Sequence, residues 1–406
     1  MNLQLSQTFT ALKHRNFRLW FSGQMVSLIG TWMQATAQSY LLFELTGSPV
    51  MLGIAGFASG IPIWLFSLYS GLISDRFSRR KVILFAQTSM MVLGFILAIL
   101  TFMDLVQPWH IIVLAFFLGT ANAFDAPARQ SFVVDMVPKE DLTNAIALNS
   151  SVFNLGTIVG PSVAGLIYAW LGPAWCFTIN GISFLGVITA LLLMNVPPPK
   201  ITALNKSPFS DLKDGLRFAV GHVEIRYLLI NLAAVSIFSF SLMTLMPDWA
   251  NTVLGGDVTT NGLLLSARGA GSLVAALMIA NLGSRVVRGK IWTLGGLVMP
   301  FAIFLLGTFR NLPVSMITLV VLGWSLMSVV NITNALIQTH VPDHLRGRVM
   351  SIYILVFQGS LPIGALLVGW LADMYGSPFT IIICGVIITL VVGTINLIHP
   401  AIRKFN

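Results

Sequence analysis

Long apolar runs alternate with short polar gaps along the whole chain of 406 residues. Twelve runs are long enough to cross a bilayer, since a spanning helix needs about 20 mostly apolar residues. The first six lie at 17–44, 50–73, 82–103, 109–130, 143–170 and 174–194. After a polar stretch, six more lie at 225–250, 259–281, 290–309, 312–336, 347–372 and 377–398. The pattern predicts an all-α membrane protein with twelve transmembrane helices.

Composition agrees with this prediction. Hydrophobic residues make up 56% of the chain and charged residues only 9%, too few to cover the surface of a soluble protein of this size. The net charge of +9 does not indicate nucleic acid, because the cations lie in the short gaps between apolar runs. We therefore expect the lipid bilayer as a partner and no nucleic acid. Cys176 and Cys384 are far apart, which predicts neither a disulfide nor a metal site.

The distribution of Lys and Arg predicts the orientation. If the N-terminus is cytoplasmic, 21 of the 23 cations fall in inside segments. Arg310 then falls outside and Arg268 lies within a span. The positive-inside rule therefore predicts that both termini are cytoplasmic.

The two halves of the chain repeat each other. Gly119, Val137-Pro138 and Gly160 recur as Gly323, Val341-Pro342 and Gly364, all at one offset of 204 residues. This predicts two six-helix halves at 1–196 and 224–406, with a substrate site where they meet. The cytoplasmic linker at 197–223 contains apolar positions at helical spacing after Ser207-Pro208, which predicts a short amphipathic helix. A loosely ordered linker is the alternative.

The gap between the second and third spans is the densest charge cluster. Between Gly71 and Lys81 it contains one carboxylate and four cations. With the twelve spans and the duplication, it resembles the signature loop of the major facilitator superfamily of transporters. The resemblance implies a gating loop formed by Gly71, Asp75, Arg76, Arg79, Arg80 and Lys81. In it, Asp75 would face the amino end of a helix in the other half, closing the two halves on the inside.

The loop departs from the family pattern in two places. Ser78 stands where the family usually has glycine, and Ser284 stands at the position equivalent to Asp75 in the second half. Only the first copy is therefore expected to act as a latch. The alternative is that the loop is an orientation signal alone.

The fifth span resembles the antiporter motif of exporters in this superfamily. The motif residues are Gly156, Gly160, Pro161 and Gly165, with Ala164 in place of one glycine. Because small residues four apart also let helices approach closely, a packing seam is the alternative. The segment from Asp125 to Gln130, with Val137-Pro138, further resembles the branch that contains macrolide-efflux proteins and the enterobactin exporter.

Polar side chains form stripes on otherwise apolar spans. On the first span, five of them at spacings of 3, 4, 3 and 4 run from Gln24 to Gln38. Such a stripe is costly in a membrane unless it faces water, substrate or a partner helix. The first, fourth, seventh and tenth helices surround the central cavity in the family that the chain resembles. The candidate cavity residues are Gln24, Thr31, Gln34, Gln38, Asn122, Asn154, Arg268, Ser328 and Asn331. Hydrogen bonding between helices is the alternative.

Charges within spans are functional candidates. Asp125, deep in the fourth span, and Glu44, at the outer end of the first, are the candidates for carrying a coupling proton. The alternative for Asp125 is a structural ion pair with Arg129 or Arg79. Arg268 is a candidate to bind an anionic group, and a structural hydrogen-bonding role is its alternative.

No catalytic constellation, ATP-binding signature or metal-ligand spacing occurs in the sequence, so we expect a non-enzyme without cofactor or metal. The resemblance implies a monomeric secondary transporter of the bacterial inner membrane. We expect it to export an amphipathic small molecule, of drug or siderophore type, by alternating access and proton antiport. The alternative is a carrier or importer of another substrate, such as a lysolipid or a nutrient. A receptor or scaffold of the same fold is a more distant alternative.

Overall fold

The computed structural model describes residues 9–195, 208–282 and 287–404, with the side chains of 67–68, 71–76, 208–212 and 404 left aside. Long helices account for nearly all of this part of the chain. In the first half they are α1 Arg15–Thr46, α2 Pro49–Arg76, α3 Arg79–Phe102, α4 Pro108–Phe132, α5 Leu142–Leu171 and α6 Pro173–Leu193. Then follow α7 Pro208–Gly221, α8 Val223–Phe238, α9 Val258–Leu282, α10 Arg288–Thr308, α11 Leu312–His340, α12 Asp343–Tyr375 and α13 Ser377–Ile398.

The predicted all-α membrane fold is confirmed. Among the described residues, eleven helical segments are long and apolar enough to cross a membrane. The predicted span that is absent from these eleven is the first, which corresponds to α1. That helix has 32 residues, but its polar stripe lowers its mean hydropathy. The count of twelve spans therefore stays a prediction.

The seventh predicted span, 225–250, is not one regular helix. Regular α-helix ends at Phe238, and helical turns continue as Phe240–Leu245, Met246–Asp248 and the π-helical turn Trp249–Val253. Pro247 lies in this stretch and lacks the backbone N–H that a regular helix requires. The irregular turns are anchored by side chains: the Trp249 indole N–H donates to Ser315 at 3.2 Å, and Ser377 donates to Asp248.

The chain forms two compact units. The first contains 9–41 and 61–195, and the second contains 42–60, 208–282 and 287–404. The segment 42–60 belongs to the second unit because it packs on α12. There the Ser48 hydroxyl donates to Asp373 at 2.7 Å, and a Cβ placed on Gly53 would lie 2.6 Å from the carbonyl oxygen of Ala365. The predicted division at 196 stays a prediction.

Within the second unit, α9 and α11 touch backbone to backbone. A Cβ on Gly323 would overlap the carbonyl group of Arg268, and one on Gly271 would overlap that of Val320. Glycine at these positions allows the two helices to approach at a distance that any other residue would prevent. The contact fixes the part of α9 that carries Arg268.

The linker contains a helix, α7, at the predicted position. Its Asp214 forms an ion pair with Arg348 of α12 at 2.8 Å, and Gly215 lies against the carbonyl group of the same arginine. Ala219 is buried, whereas Leu216 is exposed. The helix is therefore attached to the second unit by one face. The start of the predicted linker lies outside the described residues.

Candidate functional site

A buried carboxylate is the centre of a polar cluster in the first unit. The Asp125 side chain is 1% exposed and accepts a hydrogen bond from the Gln87 amide at 3.0 Å. Arg129 approaches the other carboxylate oxygen at 3.5 Å and donates to the Gln24 carbonyl oxygen at 3.3 Å. We call Gln24, Gln87, Asp125 and Arg129 the Asp125 cluster. It joins α1, α3 and α4.

The local sequence accounts for this arrangement. Asp125 and Arg129 are four residues apart on α4, so both side chains project from the same face of the helix. Two buried amide atoms of the cluster, Nε2 of Gln24 and Oε1 of Gln87, have no hydrogen-bond partner. Because an amide carries both a donor and an acceptor, Gln87 can donate to an ionised Asp125 and, after rotation, accept from a protonated one. The cluster can therefore accommodate either protonation state.

The gating loop is described only in part. Arg79 forms an ion pair with Asp135 at 2.9 Å, which differs from the predicted alternative of an ion pair with Asp125. Arg80 donates to the carbonyl oxygen of Leu192 at 3.1 Å, and Lys81 is exposed. The surroundings of Gly71, the side chains of Asp75 and Arg76, and the whole of Ser284 lie outside the described residues. The latch therefore stays a prediction.

Much of the polar stripe of α1 makes contacts inside the first unit. The Gln34 carbonyl oxygen accepts from the Asn180 amide of α6 at 2.7 Å, and Ser183 donates to the Asn180 carbonyl oxygen at 3.1 Å. Gln38 donates to the carbonyl oxygen of Ile111 at 3.5 Å. Thr31 donates to its own helix, to the carbonyl oxygen of Ser27. These contacts favour the alternative of helix–helix hydrogen bonding for Gln34 and Gln38.

We expect Gln34→Ala and Asn180→Ala each to lower thermal stability, because either change leaves a buried amide unpaired. In a double-mutant cycle the coupling should be about 0.6 kcal/mol and at most about 1.7 kcal/mol, the average and the maximum measured for hydrogen bonds between membrane helices. Thermal unfolding of the purified variants measures this coupling. Zero coupling with altered substrate affinity would instead favour the cavity role of Gln34.

The other candidates of the first half are scattered. Asn122 and Asn154 are half-buried, and Asn154 donates to its own helix at the carbonyl oxygen of Ser150. Glu44 is exposed near the end of α1. The structure therefore places Gln24 and Asp125 in one cluster and leaves the other candidates outside it.

A second candidate centre lies in the second unit at Arg268. Its side chain is 7% exposed, and its guanidinium carbon lies 5.2 Å from the centre of the Phe240 ring. Its Nε atom has no hydrogen-bond partner, and no described carboxylate lies within ion-pair distance. The ring face offsets part of the cost of burying the charge. Arg268 is thus a buried cation packed against an aromatic ring, with no anionic side chain beside it among the described residues.

Unpaired polar atoms are frequent in the second unit. The hydroxyls of Ser325 and Ser328 on α11 are fully buried without a partner, and Asn331 is half-buried. Asn231 on α8 and Asn261 on α9 leave both ends of their amides unpaired. Buried polar groups normally hydrogen-bond to protein, water or ligand. The cavity role of Ser328 and Asn331 stays a prediction.

The antiporter motif of α5 packs on α1. A Cβ on Gly156 would lie 3.0 Å from the Trp32 ring, and one on Gly160 would lie 2.5 Å from the Trp32 Cβ and 2.9 Å from the carbonyl oxygen of Ile29. Pro161 and Gly165 are buried in the same helix. This contact matches the packing alternative, and a special role of the motif in export stays a prediction.

We expect Gly160→Ala to destabilise the protein by about 1–3 kcal/mol, because its Cβ forces α1 and α5 apart. Gly393→Ala is the matched control, since a Cβ there meets nothing within 4 Å. Thermal unfolding of both purified variants makes the comparison. Equal stabilities would contradict the close approach of α5 and α1.

Sequence reasoning missed several of these residues. Gln87 and Asn231 are the single amide side chains of the third and seventh predicted spans, and Asn261 is one of two in the eighth. An amide in an apolar span was the available signal, but it does not indicate a partner. Among the described residues, no group of three His, Cys, Asp or Glu side chains is placed to hold a metal ion.

The chain is similar over nearly its whole length to several bacterial transporters. The chain is 26% identical to the staphyloferrin A transporter of Staphylococcus aureus, over 93% of this chain and 96% of that protein. It is 25% identical to the multidrug efflux pump Tap of Mycolicibacterium fortuitum, over 93% and 94%. It is 23% identical to macrolide efflux protein A of Streptococcus pyogenes, over 97% and 99%.

The fold is shared with transporters of known structure. The crystal structure of a variant of the nucleoside transporter NupG superposes with a TM-score of 0.78 at 13% identity, covering 93% of this chain and 98% of that one.

The family described as transmembrane secretion effector matches residues 6–406, nearly the whole chain. The chain therefore belongs to the transmembrane secretion effector family of the major facilitator superfamily.

Proposed function

We propose that the protein is a secondary active transporter that exports an amphipathic small molecule of drug or siderophore type by proton antiport. The observation that carries the proposal is the buried Asp125 with a glutamine on one side and an arginine on the other. The names of three relatives support the choice of substrate: one is a staphyloferrin A transporter, one a multidrug efflux pump and one a macrolide efflux protein.

Proton antiport requires a group that loads a proton on one side of the membrane and releases it on the other. Asp125 is suited to this role because Arg129 favours its ionised form, whereas burial favours its neutral form. A small movement of Arg129 or entry of water would then change which form prevails. Alternating access supplies such a movement in each transport cycle.

The remaining parts of the proposal follow from charge distribution and family membership. Both termini are cytoplasmic, the protein lies in the bacterial inner membrane, and it works as a monomer. Asp75 and the basic residues of the gating loop act as the inside latch. The protein performs transport and no covalent chemistry.

The test uses the full chain in inside-out vesicles, where the vesicle lumen corresponds to the cell exterior. We expect a macrolide, a hydrophobic cation or a carboxylate siderophore to accumulate when the lumen is acidic relative to the bath. Accumulation should stop when a protonophore removes the gradient. Equal accumulation with and without the gradient would exclude proton antiport, and uptake only into right-side-out vesicles would indicate an importer.

A further inference from the structure

A groove of about 790 Å³ runs along one face of the first unit between α1, α5 and α6. Its wall is apolar apart from the hydroxyls of Ser22, Ser183 and Thr189. Several of its apolar side chains are exposed, including Val26 at 54%, Ile182 at 53% and Leu193 at 53%. With α1, α5 and α6 crossing the membrane, as the proposed function requires, the groove opens towards the hydrocarbon of the bilayer.

Glycines form the floor of the groove. Gly23 and Gly186 face each other where α1 meets α6, and a Cβ on Gly23 would lie 3.0 Å from the Gly186 carbonyl oxygen. The helices therefore touch by their backbones, and no side chain fills the space above the contact. The volume lies within the range of about 300–1,000 Å³ that is typical of ligand sites.

Three arginines lie at one end of the groove. Arg15 donates to the carbonyl oxygen of Leu193, a groove residue, at 3.3 Å, and Arg80 donates to that of Leu192 at 3.1 Å. Arg18 is exposed one turn before Ser22, whose hydroxyl donates to the Arg18 carbonyl oxygen. Each guanidinium has five N–H donors, so most donors of Arg15 and Arg80 stay available after these single contacts. Among the described residues that line the groove, none is acidic.

The geometry points to a binding site for an anionic phospholipid, with acyl chains in the groove and the phosphate against Arg15, Arg18 and Arg80. Basic residues next to a site between membrane helices are the combination that recognises anionic headgroups. Arginine also suits phosphate because its planar fork can donate two hydrogen bonds at once. The site lies on the face of α1 and α6 and is independent of the Asp125 cluster and of the transported molecule.

Native mass spectrometry of the full chain in detergent tests the site, with phosphatidylglycerol as probe and phosphatidylcholine of identical acyl chains as reference. We expect phosphatidylglycerol to bind at least about tenfold more tightly. The triple variant R15Q/R18Q/R80Q should lose this preference. The control R217Q/K290Q/R310Q removes the same charge from residues of the second unit and should keep the preference.

A second variant separates the groove from general attraction to basic residues. Val26→Trp fills the groove from its exposed side without removing a buried contact, and it should weaken binding of both lipids. If Val26→Trp binds phosphatidylglycerol as the unchanged protein does, the acyl chains do not use the groove and the proposal is wrong. Equal binding of the two lipids, or loss of preference in the control triple variant, would also overturn it.

Discussion

We expect Asp125→Asn to abolish transport driven by a pH gradient while exchange of substrate at equal pH stays measurable. The asparagine keeps the size of the side chain and can still accept from Arg129 or Gln87, so the cluster stays packed. It cannot take up and release a proton at physiological pH. Initial rates in vesicles with and without a gradient, compared with exchange of labelled substrate, measure the two activities separately.

Asp248→Asn is the matched control for this experiment. Asp248 is also a buried carboxylate, 6% exposed, and it accepts a hydrogen bond from Ser377. Its replacement should leave gradient-driven transport intact. If Asp125→Asn retained full gradient-driven export, coupling through this residue would be wrong, and Glu44→Gln would be the next variant to measure.

We expect Arg268→Gln to lower the transport of anionic substrates at least about 30-fold, because loss of one member of a buried charge pair costs about 2–5 kcal/mol or more. Transport of neutral macrolides should change much less. Thermal stability should stay equal or rise, since the change removes a buried charge that pairs with no carboxylate in the described part of the chain. The measurement is uptake of a carboxylate siderophore and of a neutral macrolide by the same vesicles, with unfolding recorded in parallel.

Two further variants make the Arg268 result specific. Arg268→Lys keeps the charge but loses the planar guanidinium above Phe240, so an intermediate loss for the siderophore is expected. Arg226→Gln is the control, since Arg226 also lies over an aromatic ring, that of Tyr227, at 5.6 Å. A strong loss of stability in Arg268→Gln with equal effects on both substrates would mean that Arg268 is a packing residue.

Helix positions were predictable from the sequence to within a few residues, because a bilayer imposes its thickness on every apolar run. The seventh span was predicted as one helix but is irregular after Phe238. Pro247 was visible in the sequence, but the irregular turns around it depend on contacts of Trp249 and Asp248 with other helices. The first span was predicted from its length, yet its polar stripe makes it less apolar than the other spans. The local apolar pattern predicts that a helix forms, whereas contacts with other helices determine whether that helix is regular.

The contacts of the candidate residues were less predictable. The sequence indicated that the polar amide of Gln34 needs a partner in the membrane. Helical spacing gives only the face of the helix on which Gln34 lies and not the neighbour of that face. Its partner Asn180 is 146 positions away, and no sequence motif around Asn180 indicates this contact. Arg79 likewise pairs with Asp135 instead of Asp125, because a 3₁₀ turn at Val133–Asp135 carries that carboxylate towards it.

The packing of the segment 42–60 on α12 has a consequence for biosynthesis. Ser48 and its partner Asp373 are 325 positions apart, and a ribosome adds about 5–20 residues per second. Roughly 15–65 s therefore pass between the emergence of the serine and that of the aspartate. During this time the glycine-rich surface around Gly53 has no native partner and must wait in the bilayer or be held by the insertion machinery. A helix synthesised near the end, α12, thus supplies the packing partner of a segment that is synthesised near the beginning.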